Sequence, residues 1–214
     1  MLKTVFGLAT LAGLAVAAPA SAVITSGVLS GGTALANGGM FVNLGNHPGM
    51  LTVGTGTDNS FNVSGFNEKQ KVTLLRNLTP NLGATILKNT LVNSQYIFFD
   101  APTGRPITAI GSVVFRTKIL GVLRSGGKVA TTNALFGNPM VTYTTPPAFA
   151  LEASDRVSFS GKTLSFSLAN GIASDDFRVL TAVPEPATWG MMLAGFGLVG
   201  AAARRRRGLT AVAG

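Results

Sequence analysis

The sequence predicts an all-β fold, a β-sandwich or jelly roll, set between two terminal segments of a different kind. Three observations carry that reading. Residues 23–183 alternate short apolar runs with Gly, Pro, Asn and Thr. No stretch among them keeps a convincing helical period beyond two turns. Residues 157–168 alternate apolar and polar side chains with a period of two. Many short strands at this spacing favour a sandwich or jelly roll, and the same signals fit an open barrel.

In chain order the candidate strands are Met40–Leu44, Met50–Val53, Ser60–Ser64, Lys71–Arg76, Ala84–Val92, Gln95–Asp100, Ile107–Leu123 with a break near Lys118, Val141–Thr144, Val157–Ser160, Thr163–Leu168 and Phe177–Thr181. Val157 and Phe159 alternate with serines, a Gly-containing turn follows, and Leu164, Phe166 and Leu168 resume the alternation. This is the pattern of a hairpin with one dry face. Tyr96-Ile97-Phe98-Phe99 is apolar on both parities, which predicts a strand covered on both sides. Pro102, Gly104 and Pro106 then break the chain. No low-complexity linker interrupts residues 23–183, so a single domain is expected there.

The amino-terminal end reads Met1-Leu2-Lys3, an apolar run from Val5 to Ala17, then Pro19-Ala20-Ser21-Ala22. That charged, apolar and small-residue order is a secretory signal peptide over residues 1–22, with Ala20 and Ala22 marking the cleavage site. The run is shorter than the ~20 apolar residues of a spanning helix, which disfavours a permanent anchor. Export through the Sec translocon and removal by signal peptidase are the expectation.

The other end places Pro184-Glu185-Pro186 before Trp189, an apolar Gly-rich stretch from Gly190 to Ala203, and Arg204, Arg205, Arg206 and Arg207. Two prolines around a glutamate make an extended, accessible segment, and a helix can begin beyond Pro186. An interfacial tryptophan and a short apolar stretch suit insertion into the inner membrane. The arginines then stay on the cytoplasmic side, with residues 208–214 as a cytoplasmic tail. Physics alone reads a tail anchor.

The block from Pro184 to Gly200, followed by the arginines, closely resembles the PEP-CTERM sorting domain in its variant with Trp after Pro-Glu-Pro. Gly190 stands where that pattern usually has alanine, a change that weakens helix propensity slightly. The resemblance implies processing by exosortase, a membrane-embedded cysteine transpeptidase-like enzyme, with Pro184, Glu185 and Pro186 as substrate residues. It also implies delivery to the cell surface or medium, typically in Gram-negative bacteria that make an extracellular polysaccharide matrix. Phe66-Asn67-Glu68-Lys69-Gln70, Leu91–Asp100, Ile119–Val122 and Phe177–Thr181 look like a domain recurring in exported PEP-CTERM proteins, with Gln95 at a position where relatives are expected to carry histidine.

Residues 23–183 carry twelve Lys/Arg against seven Asp/Glu, a net charge of +5 out of +9 for the whole chain. The basic residues are scattered, without aromatic interleaving, which argues against nucleic acid. A weak attraction to acidic polysaccharide or lipopolysaccharide is compatible with this charge, and a solubilising surface is its plainer meaning. There is no cysteine, which fits export without disulfides and removes any thiolate nucleophile or metal ligand.

His47, the single histidine, lies in the turn-like Gly45-Asn46-His47-Pro48-Gly49, and no Gly-x-Ser-x-Gly elbow accompanies it. It reads as a loop residue, and a zinc site has too few ligands. Asp175-Asp176 precede the last strand, and Glu152 and Asp155 precede the hairpin. As loop-tip carboxylates these four are candidate oxygen ligands for calcium, with ordinary turn chemistry as the competing role; no cofactor is otherwise implied. They are also the residues a secreted glycan-active enzyme would use, if two lay ~5–10 Å apart. Gly121–Val129 brushes against a phosphate loop but has the wrong spacing and Val129 in place of Ser or Thr. Tyr96, Tyr143 and Phe149 could offer aromatic faces to sugars, Phe149 beside Pro146-Pro147 being the one expected at the surface. The expectation is therefore a non-catalytic surface or matrix module, with the glycan-active enzyme and the permanently tail-anchored protein as alternatives.

Overall fold

The computed structural model describes residues 23–46, 48–102, 106–144, 151, 154–170, 173–183 and 195–199. The element order is β1 (Ile24–Gly31), α1 (Gly32–Ala36), β2 (Phe41–Asn43), β3 (Leu51–Val53), β4 (Val63–Asn67), β5 (Val72–Thr73), β6 (Leu91–Phe99), β7 (Ile107–Phe115), β8 (Ile119–Leu123), α2 (Gly126–Thr131), α3 (Asn133–Phe136), β9 (Val141–Tyr143), β10 (Arg156–Ser160), β11 (Thr163–Asn170) and β12 (Asp175–Ala182). All of these lie in one compact unit, Ser21–Pro184. Outside it, residues 195–199 form a helical turn with Phe196, Leu198 and Val199 exposed. Among the described residues no helix is long and apolar enough to cross a membrane. The predicted signal segment 1–22 and the rest of the apolar tail lie outside the described residues.

The fold is all-β. A four-stranded sheet runs β1-β7-β11-β10, a larger sheet runs β2-β4-β6-β12-β8 with β5 also on β6, and β3 pairs with β9 in a two-stranded ribbon. Pairing is antiparallel except for β2 with β4 and β3 with β9. The expected hairpin is β10–β11, in register from Arg156↔Ser167 to Ser160↔Thr163 around Gly161-Lys162. Gly161 takes φ +58°, the left-handed conformation that tight hairpin turns require. Pairing of the whole of β11 with Ile107–Val114 of β7 extends that alternation into the first sheet.

One core lies between the two large sheets. Val113, Phe115, Leu164, Phe166 and Leu168 from the first sheet meet Ile97, Phe99, Phe177 and Val179 from the second. A second core covers the opposite face of the larger sheet, where Phe66, Tyr96, Phe98 and Leu180 pack against Val129 of α2, Phe136 of α3, Val53 and Val141. This second core explains why the whole of β6 after Leu91 is buried, as its two-sided apolar sequence predicts.

Four strand predictions need correction. Ile24–Gly31 forms β1, which the sequence reading passes over. Its register on β7 shifts between Ile24 and Ser26 and between Leu29 and Gly31, and such irregularities erase strict alternation. Lys71–Arg76 shrinks to Val72–Thr73, with Lys71 itself in left-handed backbone (φ +56°), and Ser60–Ser64 starts only at Val63. Ala84–Val92 is a strand only from Leu91 onward: Asn89 has φ +66°, and the residues before it make only an isolated bridge, Ile86 to Leu78.

Candidate functional site

The chemically distinctive place in the body is a buried ion pair on the second-core face of the larger sheet. Phe177, Arg178 and Val179 are consecutive in β12. Strand alternation sends the two apolar side chains to the first core and the guanidinium to the other. Glu68 follows β4 at the point where the strand running along β6 breaks before β5. Glu68 N–H donates to Ser94 O (2.9 Å), and Ser94 N–H returns a bond to Lys69 O (3.1 Å). This irregular step turns Glu68 toward β12.

Arg178 donates from Nε to Glu68 Oε2 (2.6 Å) and from Nη2 to Oε1 (2.7 Å), with both side chains wholly buried. Its remaining donors go to Val129 O (2.9 Å), Thr132 Oγ1 (2.6 Å) and Asn133 Oδ1 (2.9 Å). All five N–H groups of the fork are thus satisfied, the condition under which a buried guanidinium is tolerated. Glu68 also accepts from Ser94 Oγ (2.5 Å) and Tyr143 OH (2.7 Å), so four donors fill its acceptor sites. The Tyr143 hydroxyl in turn accepts from Asn138 N–H (2.9 Å). The rings of Tyr96, Phe136 and Tyr143 surround the guanidinium carbon at 5.5 to 5.8 Å.

The electrostatics follow. Burial pulls the Arg178 pKa down, but the charge and hydrogen bonds of Glu68 outweigh it, so the net shift is upward and the group stays ionised. The Tyr143 hydroxyl is pushed well above the ordinary phenol value. Burial is the main cause, then the Glu68 charge and the bond donated to it; Asn138 N–H and Arg178 pull weakly the other way.

What the network can do is structural. Helices α2 and α3 have six and four residues and no side-chain cap bond, too short to stand alone. Arg178 ties both of them to the sheet, and Lys69 adds bonds from Nζ to Ala134 O (3.0 Å) and from N–H to Phe136 O (3.0 Å). Beside Glu68 a small pocket of about 220 Å³ is lined by Asn46, Lys69, Asn138, Pro139 and Met140. Its amides are engaged internally: Asn46 Oδ1 accepts from Asn67, and Asn138 Oδ1 accepts from Met140 N–H. A carboxylate already holding four donors has no lone pair positioned to take a proton from a substrate.

The predicted acids fare differently from expectation. Asp175 and Asp176 are not loop-tip residues: they open β12, paired with Phe99 and Phe98, and both are buried. As neighbours in a strand they point to opposite faces, so they cannot chelate one ion or flank one glycosidic bond together. Asp155 is buried and accepts from Ala169 N–H (2.8 Å), which fixes the entry to β10. Among the described residues no three His, Cys, Asp or Glu side chains gather as metal ligands. Glu152, His47, Phe149, Ala20, Ala22, Pro184, Glu185, Pro186, Trp189 and Arg204 to Arg207 lie outside the described residues. Tyr96 is core, and Tyr143 is half-buried and committed to Glu68. The Gly121–Val129 stretch is the end of β8 and most of α2, with Lys128 Nζ on Thr79 O (2.9 Å).

Sequence reasoning did not single out Glu68 and Arg178 as partners. The available signal was weak: Arg178 stands between apolar Phe177 and Val179, whereas Glu68 lies among the polar residues Asn67, Lys69 and Gln70. Asp100 was missed too. It is buried, and its carboxylate accepts N–H bonds from Gly56, Thr57, Asp58 and Asn59, folding residues 56–59 around itself.

With a body whose polar centre is structural, identity rests on the carboxyl-terminal segment. Residues 182–207 match the family model of the PEP-CTERM protein-sorting motif, beginning at the last residue of β12. The chain carries that motif, which marks an exported protein targeted to exosortase for sorting to the cell surface. No curated protein and no solved structure matches the chain.

Proposed function

We propose that the chain is an exported surface or extracellular-matrix protein whose body, residues 23–183, is a non-catalytic module associated with polysaccharide. The observation that carries this reading is the sorting motif placed directly after the last strand, so that removal of the tail leaves the folded unit whole. In this scheme residues 1–22 direct export and are removed after Ala22. Gly190–Ala203 holds an inner-membrane intermediate with Arg204 to Arg207 in the cytoplasm. Exosortase then acts at Pro184, Glu185 and Pro186. A non-catalytic body is supported by the saturated Glu68, the separation of Asp175 from Asp176, and the absence of cysteine.

Intact-mass measurement of the native protein from cell surface and medium tests this. The expected mass lacks residues 1–22 and everything beyond the Pro-Glu-Pro region, and Glu185→Ala causes the unprocessed form to accumulate. A native mass that retains the four arginines overturns processing and makes the protein a permanent tail anchor.

A further inference from the structure

The charge of the body is distributed unevenly between inside and outside. Glu68, Asp100, Asp155, Asp175 and Asp176 are all buried, which leaves Asp58 as the one exposed acid among the described residues. Among the described residues ten lysines and arginines reach solvent at least partly, while Arg178 is buried in its pair with Glu68. Among the described residues ten at least partly exposed cations face one exposed acid, so within the Debye length, about 8 Å at physiological ionic strength, an approaching partner meets an excess of positive charge.

These cations coincide with exposed apolar side chains in the segment from Leu74 to Leu91. Its two legs are tied together: Leu78 and Ile86 exchange both backbone bonds (2.8 Å each), Leu74 N–H donates to Thr90 O (3.0 Å), and Lys88 N–H donates to Asn77 Oδ1 (2.8 Å). Arg76 and Lys88 lie on these two legs, and both are exposed. Beside them Leu75 is 78% exposed, Leu87 63% and Leu91 46%. An apolar pocket of about 360 Å³ opens between this segment and α2–α3, lined by Leu74, Leu75, Arg76, Leu78, Thr132 and Leu135.

We propose that this face docks on an anionic lipid surface. Leu75 and Leu87 enter the acyl boundary, and Arg76 and Lys88 meet the phosphates. A cationic surface carrying exposed leucines matches the two chemistries of a lipid interface. An acidic polysaccharide satisfies the cations but offers no apolar phase for the leucines, and the segment holds no aromatic ring to stack on a sugar. A second copy brings the same uncompensated cations against themselves. The proposal is independent of the processing of the tail.

The test uses the full chain and reads hydrogen exchange of residues 74–91 on phosphatidylglycerol and, separately, phosphatidylcholine vesicles, so that insertion of the apolar ends does not enter the readout. Exchange there is expected to slow on the anionic vesicles alone. Arg76→Gln with Lys88→Gln should raise the lipid concentration for half-protection roughly 25-fold, two cations at about fivefold each. Leu75→Ser with Leu87→Ser should abolish protection at an unchanged unfolding midpoint, since both side chains are exposed. Equal protection on the two lipids, or none on either, overturns the proposal. Protection by alginate that equals the anionic vesicles and survives the leucine changes assigns the face to polysaccharide instead. Protection without vesicles that grows with protein concentration assigns it to a second copy.

Discussion

The two faces of the larger sheet are both dry, but they are held by different forces. Toward the first sheet, Phe177 and Val179 meet an apolar layer in which strand alternation does all the sorting. On the other side Arg178, between those two residues, carries a charge into the interior, where Glu68, Tyr143, Ser94 and the two short helices close around it. Apolar burial is non-directional and tolerates substitutions of similar volume. The ion-pair face is directional: each donor has one acceptor, and the segments it organises have too little helix or strand of their own to hold position. A face built from irregular pieces is fixed by hydrogen bonds, whereas a face built from paired strands needs only shape.

The largest effects should come from adjacent residues of β12. Phe177→Ala removes a buried ring and should cost about 3–5 kcal/mol in denaturant unfolding. Arg178→Ala strands the Glu68 carboxylate and should cost a similar ~3–5 kcal/mol. The two differ in rescue. Adding Glu68→Leu to Arg178→Met should recover much of the loss, a coupling at the upper end of the roughly 0.5–3 kcal/mol seen for contacting pairs, because both charges leave together. No single partner change should rescue Phe177→Ala. Simple additivity at Glu68 and Arg178 would erase the distinction between the faces.

Legibility in the sequence divides along the same line. The hairpin at 157–168, the two-sided β6 and the break near Lys118 were readable, since each follows from a local period or a local breaker. The segments around Phe66, Leu91, Ile119 and Phe177, noted for their resemblance, turn out to be neighbouring strands of one sheet. The site was not readable. Glu68 and Arg178 are 110 residues apart, and a charge at or beside a strand looks the same whether it faces water or a partner. Asp175 and Asp176 misled for the same reason: acids near a strand end resemble turn residues until the second layer that buries them is known. Lys71 and Asn89 take left-handed backbone inside predicted strands, for which side-chain pattern carries only a weak signal.

Tyr143→Phe sharpens the comparison at intermediate size. It removes a donor from Glu68 and leaves Asn138 N–H without its acceptor, a loss of roughly 2–3 kcal/mol. It also predicts a pH dependence. The folded-state pKa lies above the unfolded value of 10.0, so this contribution to stability is fully present below that pH and is lost as pH rises through the folded value. Unfolding midpoints of the native chain should therefore fall more steeply above pH 10 than those of the variant. Parallel curves would mean that burial and Glu68 do not hold the hydroxyl protonated.

The smallest effect separates service to the carboxylate from simple packing. Ser94→Ala deletes one of the four donors to Glu68 without altering shape much, and should cost about 1.5 kcal/mol, the low end for a hydrogen bond to a charged group. In the Glu68→Leu, Arg178→Met background the same change should be close to neutral, because no carboxylate remains for the hydroxyl to satisfy. Equal cost in both backgrounds would place the role of Ser94 in the packing of β6. The two faces of the sheet would then differ less than the hydrogen-bond pattern implies.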